Sequence, residues 1–184
     1  MDNGASSYRR FLDGDENGIV ELIKEYKDGL ILFLNGCVKN IRTAEELTEE
    51  TFIKLYVNRP RFSGRCAFKT WLYTIGRNIA FDFLKKERGA ALPIDGLENV
   101  LRDEENIEKT YLRDENRIAV HKALKNLRPE YRQILYLVFF EGFDNAEAAK
   151  LMKKSKRQIE NLVYRSKISL KSELEKEGFV YEEL

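Results

Sequence analysis

Phe68-Lys69-Thr70-Trp71-Leu72-Tyr73-Thr74-Ile75-Gly76-Arg77-Asn78-Ile79-Ala80 decides what kind of chain this is. Its apolar residues recur three and four positions apart, and the pattern predicts a helix from Phe68 to about Lys86 with Phe68, Trp71, Leu72, Ile75, Ile79 and Phe83 on one stripe. Upstream, Leu47, Thr51, Phe52 and Leu55 define another helix. Before it, Ile19, Leu22, Ile23 and Tyr26 are followed after Gly29 by Leu30, Phe33, Leu34, Cys37 and Val38, which predicts two consecutive helices or one interrupted helix. No segment alternates as a strand would, so the fold class is all-α. Pro60 to Gly64 separates two helices, and Gly89 to Gly96, with Pro93 inside it, ends the first half.

The second half opens with a weaker helical pattern from about Tyr111 to Asn126. Pro129 suits a first helical turn, Gly142 suits a helix end, and Asp144 or Asn145 can cap a short helix carrying Ala146, Ala149, Leu151 and Met152. Ser155 can cap a longer basic helix with Ile159, Leu162, Val163, Ile168 and Leu170. A short helix, a turn at Lys153 to Ser155 and a basic helix are the parts of a helix-turn-helix, although this turn lacks the glycine often found there. The expected architecture is two small helical domains, 1–90 and 112–184, joined by an acidic linker, 91–111.

With 184 residues and 43% hydrophobic content the chain can bury a core, and it has no apolar run near the ~20 residues of a membrane span. Neither a membrane insertion nor an export signal is expected, and the cytoplasm is the expected compartment. Cys37, Cys66 and one histidine are too few for a zinc site, so no metal and no cofactor are expected. His121 stands alone, no phosphate-cradling glycine loop is present, and no catalytic residues emerge; the chain is not expected to be an enzyme. Near-equal totals of 32 basic and 31 acidic residues conceal sorting into blocks. Lys54 to Arg88 holds nine bases against two acids, Asp95 to Glu115 eight acids against three bases, and Lys150 to Lys171 eight bases against Glu160 alone. Clustered Lys and Arg of this kind are the electrostatic footprint of phosphate binding.

Ala44 to Tyr56, then Arg61-Phe62-Ser63-Gly64, then Phe68 to Ala80 resemble region 2 of the extracytoplasmic-function (ECF) sigma factors, of the sigma-70 family. Leu127-Arg128-Pro129-Glu130-Tyr131-Arg132 with Glu141-Gly142-Phe143 and the following helix pair is similar to region 4 of the same family. The resemblance implies a promoter-specificity subunit that binds core RNA polymerase and promoter DNA. It implies docking on the polymerase clamp helices through Glu45, Glu46, Glu49 and Glu50, with Glu49 standing where the family often has glutamine. It implies reading and melting of the −10 element by Arg61, Phe62, Arg65, Phe68, Lys69, Trp71, Tyr73, Arg77 and Asn78. Rings that stack on unpaired bases beside cations that follow phosphates suit that task, and the Asn78 amide suits an extruded base. Contacts to the −35 element are implied for Arg157, Gln158, Asn161, Tyr164, Arg165 and Lys167. Glu160 and Leu162 depart from the family's usual basic residues there. The family also implies an anti-sigma factor as a partner. The competing readings are a stand-alone helix-turn-helix repressor or activator, which leaves the aromatic and basic first half without a task, and a protein-interaction module.

Overall fold

A computed structural model of the chain describes residues 3–89, 120 and 122–176. The chain divides into two compact units, 1–95 and 96–184. All described regular structure is helical. The first unit contains α1 (Asn3–Leu12), α2 (Asn17–Val38), α3 (Ile41–Asn58) and α4 (Phe68–Gly89).

The helix α2 runs through Gly29 and Gly36 without interruption. Each glycine costs a helix about 1 kcal/mol relative to alanine. That cost is offset by burial, because every residue from Leu30 to Cys37 is inside the unit. Leu30, Ile31, Phe33 and Leu34 are buried, as are Ile41, Ala44 and Leu55 of α3 and Leu72, Ile79 and Ala80 of α4, and α2 packs on both of those helices. Three helices converge at Gly76, where a Cβ would lie 3.1 Å from Leu30 Cδ1 and 3.3 Å from Thr51 Oγ1. The buried Thr48 and Thr51 hydroxyls donate to carbonyls one turn back, Ala44 at 2.8 Å and Leu47 at 2.7 Å, so neither disturbs the apolar interior.

Sharp corners link these helices. Lys39 takes the left-handed conformation and its N–H returns to the Asn35 carbonyl, after which the Asn40 side chain accepts from the Thr43 N–H to start α3. The α1–α2 corner is closer still: a Cβ on Gly18 would sit 2.2 Å from the Ser7 carbonyl oxygen and 2.8 Å from the Phe11 nitrogen.

In the second unit, helical residues 122–125 precede α5 (Pro129–Leu135), which continues as a wider π turn over Tyr136–Phe140. Then come α6 (Asn145–Met152) and α7 (Lys156–Lys176). Leu124, Leu127, Tyr131 and Leu135 form a core against which Val120, Phe140, Leu162 and Leu170 pack. Asp144 is the cap that starts α6, in a reciprocal box with Glu147. At the next corner Lys153 adopts φ 55°, supplying the left-handed turn without a glycine. Ser155 and Gln158 then cap α7 reciprocally: the Gln158 N–H donates to the Ser155 hydroxyl, and the Ser155 N–H to the Gln158 side-chain oxygen. The expected linker 91–111, most of the helix expected from Tyr111, and His121 lie outside the described residues.

Candidate nucleic-acid interface

The segment from Arg59 to Ala67 is a loop lying against the start of α4, and a layer of aromatic rings holds it. The Phe62 ring meets Phe68 edge-on at 5.5 Å and Trp71 at 5.2 Å. From the other side, Tyr8 of α1 packs on Phe68 at 5.4 Å and on Trp71 at 5.3 Å. The Tyr8 hydroxyl donates to the Pro60 carbonyl at 2.7 Å, which pins the entry of the loop to α1. Burial pushes the Tyr8 phenol up to about 12, against the opposing pull of the Arg59 cation. At the loop tip Gly64 adopts φ 71°, a left-handed turn that favours glycine, between the exposed Arg61 and Arg65.

Two of the nine residues expected on −10 DNA are corrected by this packing. Phe68 and Tyr73 are fully buried, Phe68 among Tyr8, Tyr26, Phe62 and Trp71, and Tyr73 against Phe33 at 5.3 Å. A ring closed on both faces by protein has no face to offer a base, so both are core residues. The others remain within reach of solvent. Phe62 and Trp71 are half-buried, and Trp71 shares the outward side of α4 with the exposed Asn78, two turns further on. Lys69 lies over the Tyr73 ring at 5.6 Å and Arg77 over Phe81 at 4.2 Å, each across one helical turn. Tyr8, which braces this arrangement, was not among the expected site residues; its signal was the apolar spacing of Tyr8, Phe11 and Leu12.

The helix α3 buries Leu47, Phe52 and Leu55, as its spacing requires. Its outward face carries Glu46, Glu49 and Glu50, with Glu45 on the flank. In line with them stand two apolar side chains absent from the expected contacts, Ile53 at 59% and Val57 at 68% exposure. They fall at the helical repeat from Glu46, Glu49 and Glu50, and that repeat was the available signal.

On α7 the core takes Ile159, Ser166 and Leu174. The opposite face presents Arg157, Asn161, Tyr164, Arg165 and Ile168, all exposed. Gln158 is also exposed, but its oxygen is occupied by the Ser155 N–H at 2.8 Å, leaving the amide NH2 as its free donor. Lys167 stands over the exposed Phe139 ring at 4.9 Å. Glu160 is solvent-facing, one turn from Lys156 and Tyr164. Among the described residues no group of His, Cys, Asp and Glu is placed to hold a metal, and no helix is long and apolar enough to cross a membrane.

Comparison with known proteins gives a consistent result for both units. The Sigma-70 region 2 family matches residues 22–90, and the Sigma-70, region 4 family matches residues 117–170. RNA polymerase sigma-H factor of Pseudomonas aeruginosa is 27% identical over 172 residues, covering 88% of this chain and 89% of that protein. ECF RNA polymerase sigma factor SigX of Bacillus subtilis is 26% identical over 159 residues, covering 84% and 82%. Among solved structures, CnrH in complex with the cytosolic domain of CnrY superposes with a TM-score of 0.63 at 17% identity, covering 94% of this chain and 95% of that one. The sigma factor RpoE in complex with the anti-sigma factor NepR from Bartonella quintana gives 0.63 at 20% identity, covering 84% and 97%.

Proposed function

The chain belongs to the sigma-70 family, in its ECF branch, and is an RNA polymerase sigma factor; on that premise we propose how its surfaces divide the work. The α3 face, with Glu45, Glu46, Glu49 and Glu50 around Ile53 and Val57, docks on core RNA polymerase. The carboxylates orient the encounter with a basic partner, and the apolar pair supplies desolvated contact area. Around the loop of the first unit, Arg61, Arg65, Lys69 and Arg77 follow phosphates while Phe62 and Trp71 offer ring surface to unpaired bases of the −10 element. Asn78 reads an extruded base, since its amide offers both a donor and an acceptor. In the second unit, α7 lies along the −35 element and presents Arg157, Gln158, Asn161, Tyr164, Arg165 and Lys167 to base edges and backbone. Residues 1–90 and 112–184 act as the two DNA-reading domains, with 91–111 between them.

Phosphodiester chemistry stays in the polymerase, and the protein works in the cytoplasm, where an anti-sigma factor is the expected regulator. The outward row of Trp71 and Asn78 above a loop rich in cations carries this reading. A stand-alone repressor has no use for such a row, because duplex binding through α7 needs no trap for single-stranded bases. Run-off transcription with purified core polymerase tests the assignment. Asn78→Ala should lower promoter opening, followed by permanganate reactivity, about tenfold, the loss of one good base contact of about 1 to 3 kcal/mol. Its affinity for core polymerase should be unchanged; equal loss of opening and core affinity would contradict the role given to Asn78.

A further inference from the structure

The second unit contains a concave cleft between the entry to α5 and the first turns of α7, lined by Arg128, Glu130, Lys154, Gln158, Asn161 and Arg165. Arg128, Glu130 and Lys154 have no part in the assignments above. An inventory of hydrogen-bonding groups tells what the cleft can take. The Arg128 guanidinium stacks over the Tyr131 ring at 4.3 Å and donates to the Tyr131 hydroxyl, so it is held in place with donors to spare. Lys154 contributes an ammonium, and Gln158, its oxygen tied to the Ser155 N–H, contributes an NH2 group. Arg165 is the third cation of the lining. Among these lining residues Glu130 is the one carboxylate, and it is bound to Lys154 at 3.2 Å. Three cations and an amide donor around one already paired acid complement an oxyanion and repel a cation.

We infer that this cleft seats a backbone phosphate of duplex DNA, held by Arg128 and Lys154 beside the strand that α7 reads. The inference rests on the placement of α7 along DNA proposed above. Gln158, Asn161 and Arg165 belong both to the cleft and to the exposed side of α7, so an anion here lies at the edge of whatever that helix covers. A duplex presents one phosphate about every 1.7 Å of its axis, and contacts of this kind set register and orientation while carrying no base information. Glu130 acts against the site: by pairing with Lys154 it lowers the positive charge that the phosphate meets. Removing that carboxylate therefore strengthens DNA binding.

The test uses the full chain and a fluorescein-labelled duplex of random sequence, with anisotropy titrations over a series of KCl concentrations. Arg128→Ala should weaken binding at low salt by roughly tenfold and make the plot of log K against log [KCl] shallower by about one. Arg128→Lys should keep the slope, and Glu130→Gln should tighten binding and steepen it. Because Glu130→Gln predicts a gain, it cannot be mimicked by a variant that folds poorly. If Arg128→Ala and Glu130→Gln leave affinity and slope unchanged while Arg165→Ala lowers both, the phosphate seat is wrong and α7 still binds DNA. If Arg165→Ala also changes nothing, the placement of α7 on DNA is what fails. Displacement of the duplex by inorganic phosphate more effectively than by chloride at equal ionic strength would make the cleft a small-anion site and overturn the inference.

Discussion

Lys39, Arg59 and Lys153 end three helices in the left-handed conformation, at φ 61°, 43° and 55°. An L-residue with a Cβ gives up about 1 to 2 kcal/mol there that glycine would not. Lys153 forms the corner of the helix-turn-helix, where its N–H reaches the carbonyls of Ala149 and Lys150. Lys153→Gly should therefore be more stable than Lys153→Ala by about 1 kcal/mol in chemical denaturation, a comparison in which the lost charge cancels. Tyr8 makes a second prediction at this scale. Its phenol is raised to about 12, so between the ordinary tyrosine range near 10 and that value the folded chain holds a proton that the unfolded chain has lost. The stability contributed by Tyr8 is complete below about pH 10 and falls as pH climbs toward 12. Denaturation midpoints of the wild type should drop more steeply across that window than those of Tyr8→Phe.

The helix α1 shows how an element outside a family's matched stretch can govern the site inside it. The region 2 match begins at residue 22, yet α1 supplies Tyr8 and Phe11 to the wall behind the loop. Phe11 stacks with Tyr56 at 5.6 Å and lies under the Arg59 guanidinium at 4.9 Å, while Tyr8 holds the Pro60 carbonyl. Tyr8→Phe keeps the ring and removes that bond, which is worth about 1 kcal/mol. Promoter opening should fall about fivefold while core polymerase affinity stays at the wild-type value. Unchanged opening would reduce α1 to a structural prop. The π turn over Tyr136–Phe140 ends another element, with Tyr136 and Phe140 stacked at 5.2 Å.

For the molecule as a whole, the proposed assembly rests on sorted charge and on the exposed acidic ridge of α3. The ridge of α3 combines acids with Ile53 and Val57, which are 59% and 68% exposed. Truncating both to alanine should weaken core polymerase binding by at least about tenfold, because each loses apolar area that the complex would bury, while thermal stability of the free chain stays unchanged. Competition with a second sigma factor for a limited amount of core enzyme measures the first, and calorimetry the second. Much of this was legible without coordinates: the helical period of Phe68 to Phe83, the break at Pro60 to Gly64, the caps at Asp144 and Ser155, the cationic blocks and the acidic face all follow from spacing and residue type. Those are local properties, set by 3.6 residues per turn and by which side chains can bond their own backbone. Periodicity marks a stripe but not how far the neighbours close over its edges. That is why spacing put Trp71 on the apolar stripe and left Tyr73 off it, although Tyr73 is fully enclosed and Trp71 is not. The brace from Tyr8 to Pro60, 52 residues apart, and the joining of Arg128 with Arg165 in one cleft depend on chain segments that only packing brings together. Local sequence determined the helices and their chemistry; tertiary contact decided which of those side chains are enclosed and which stay exposed.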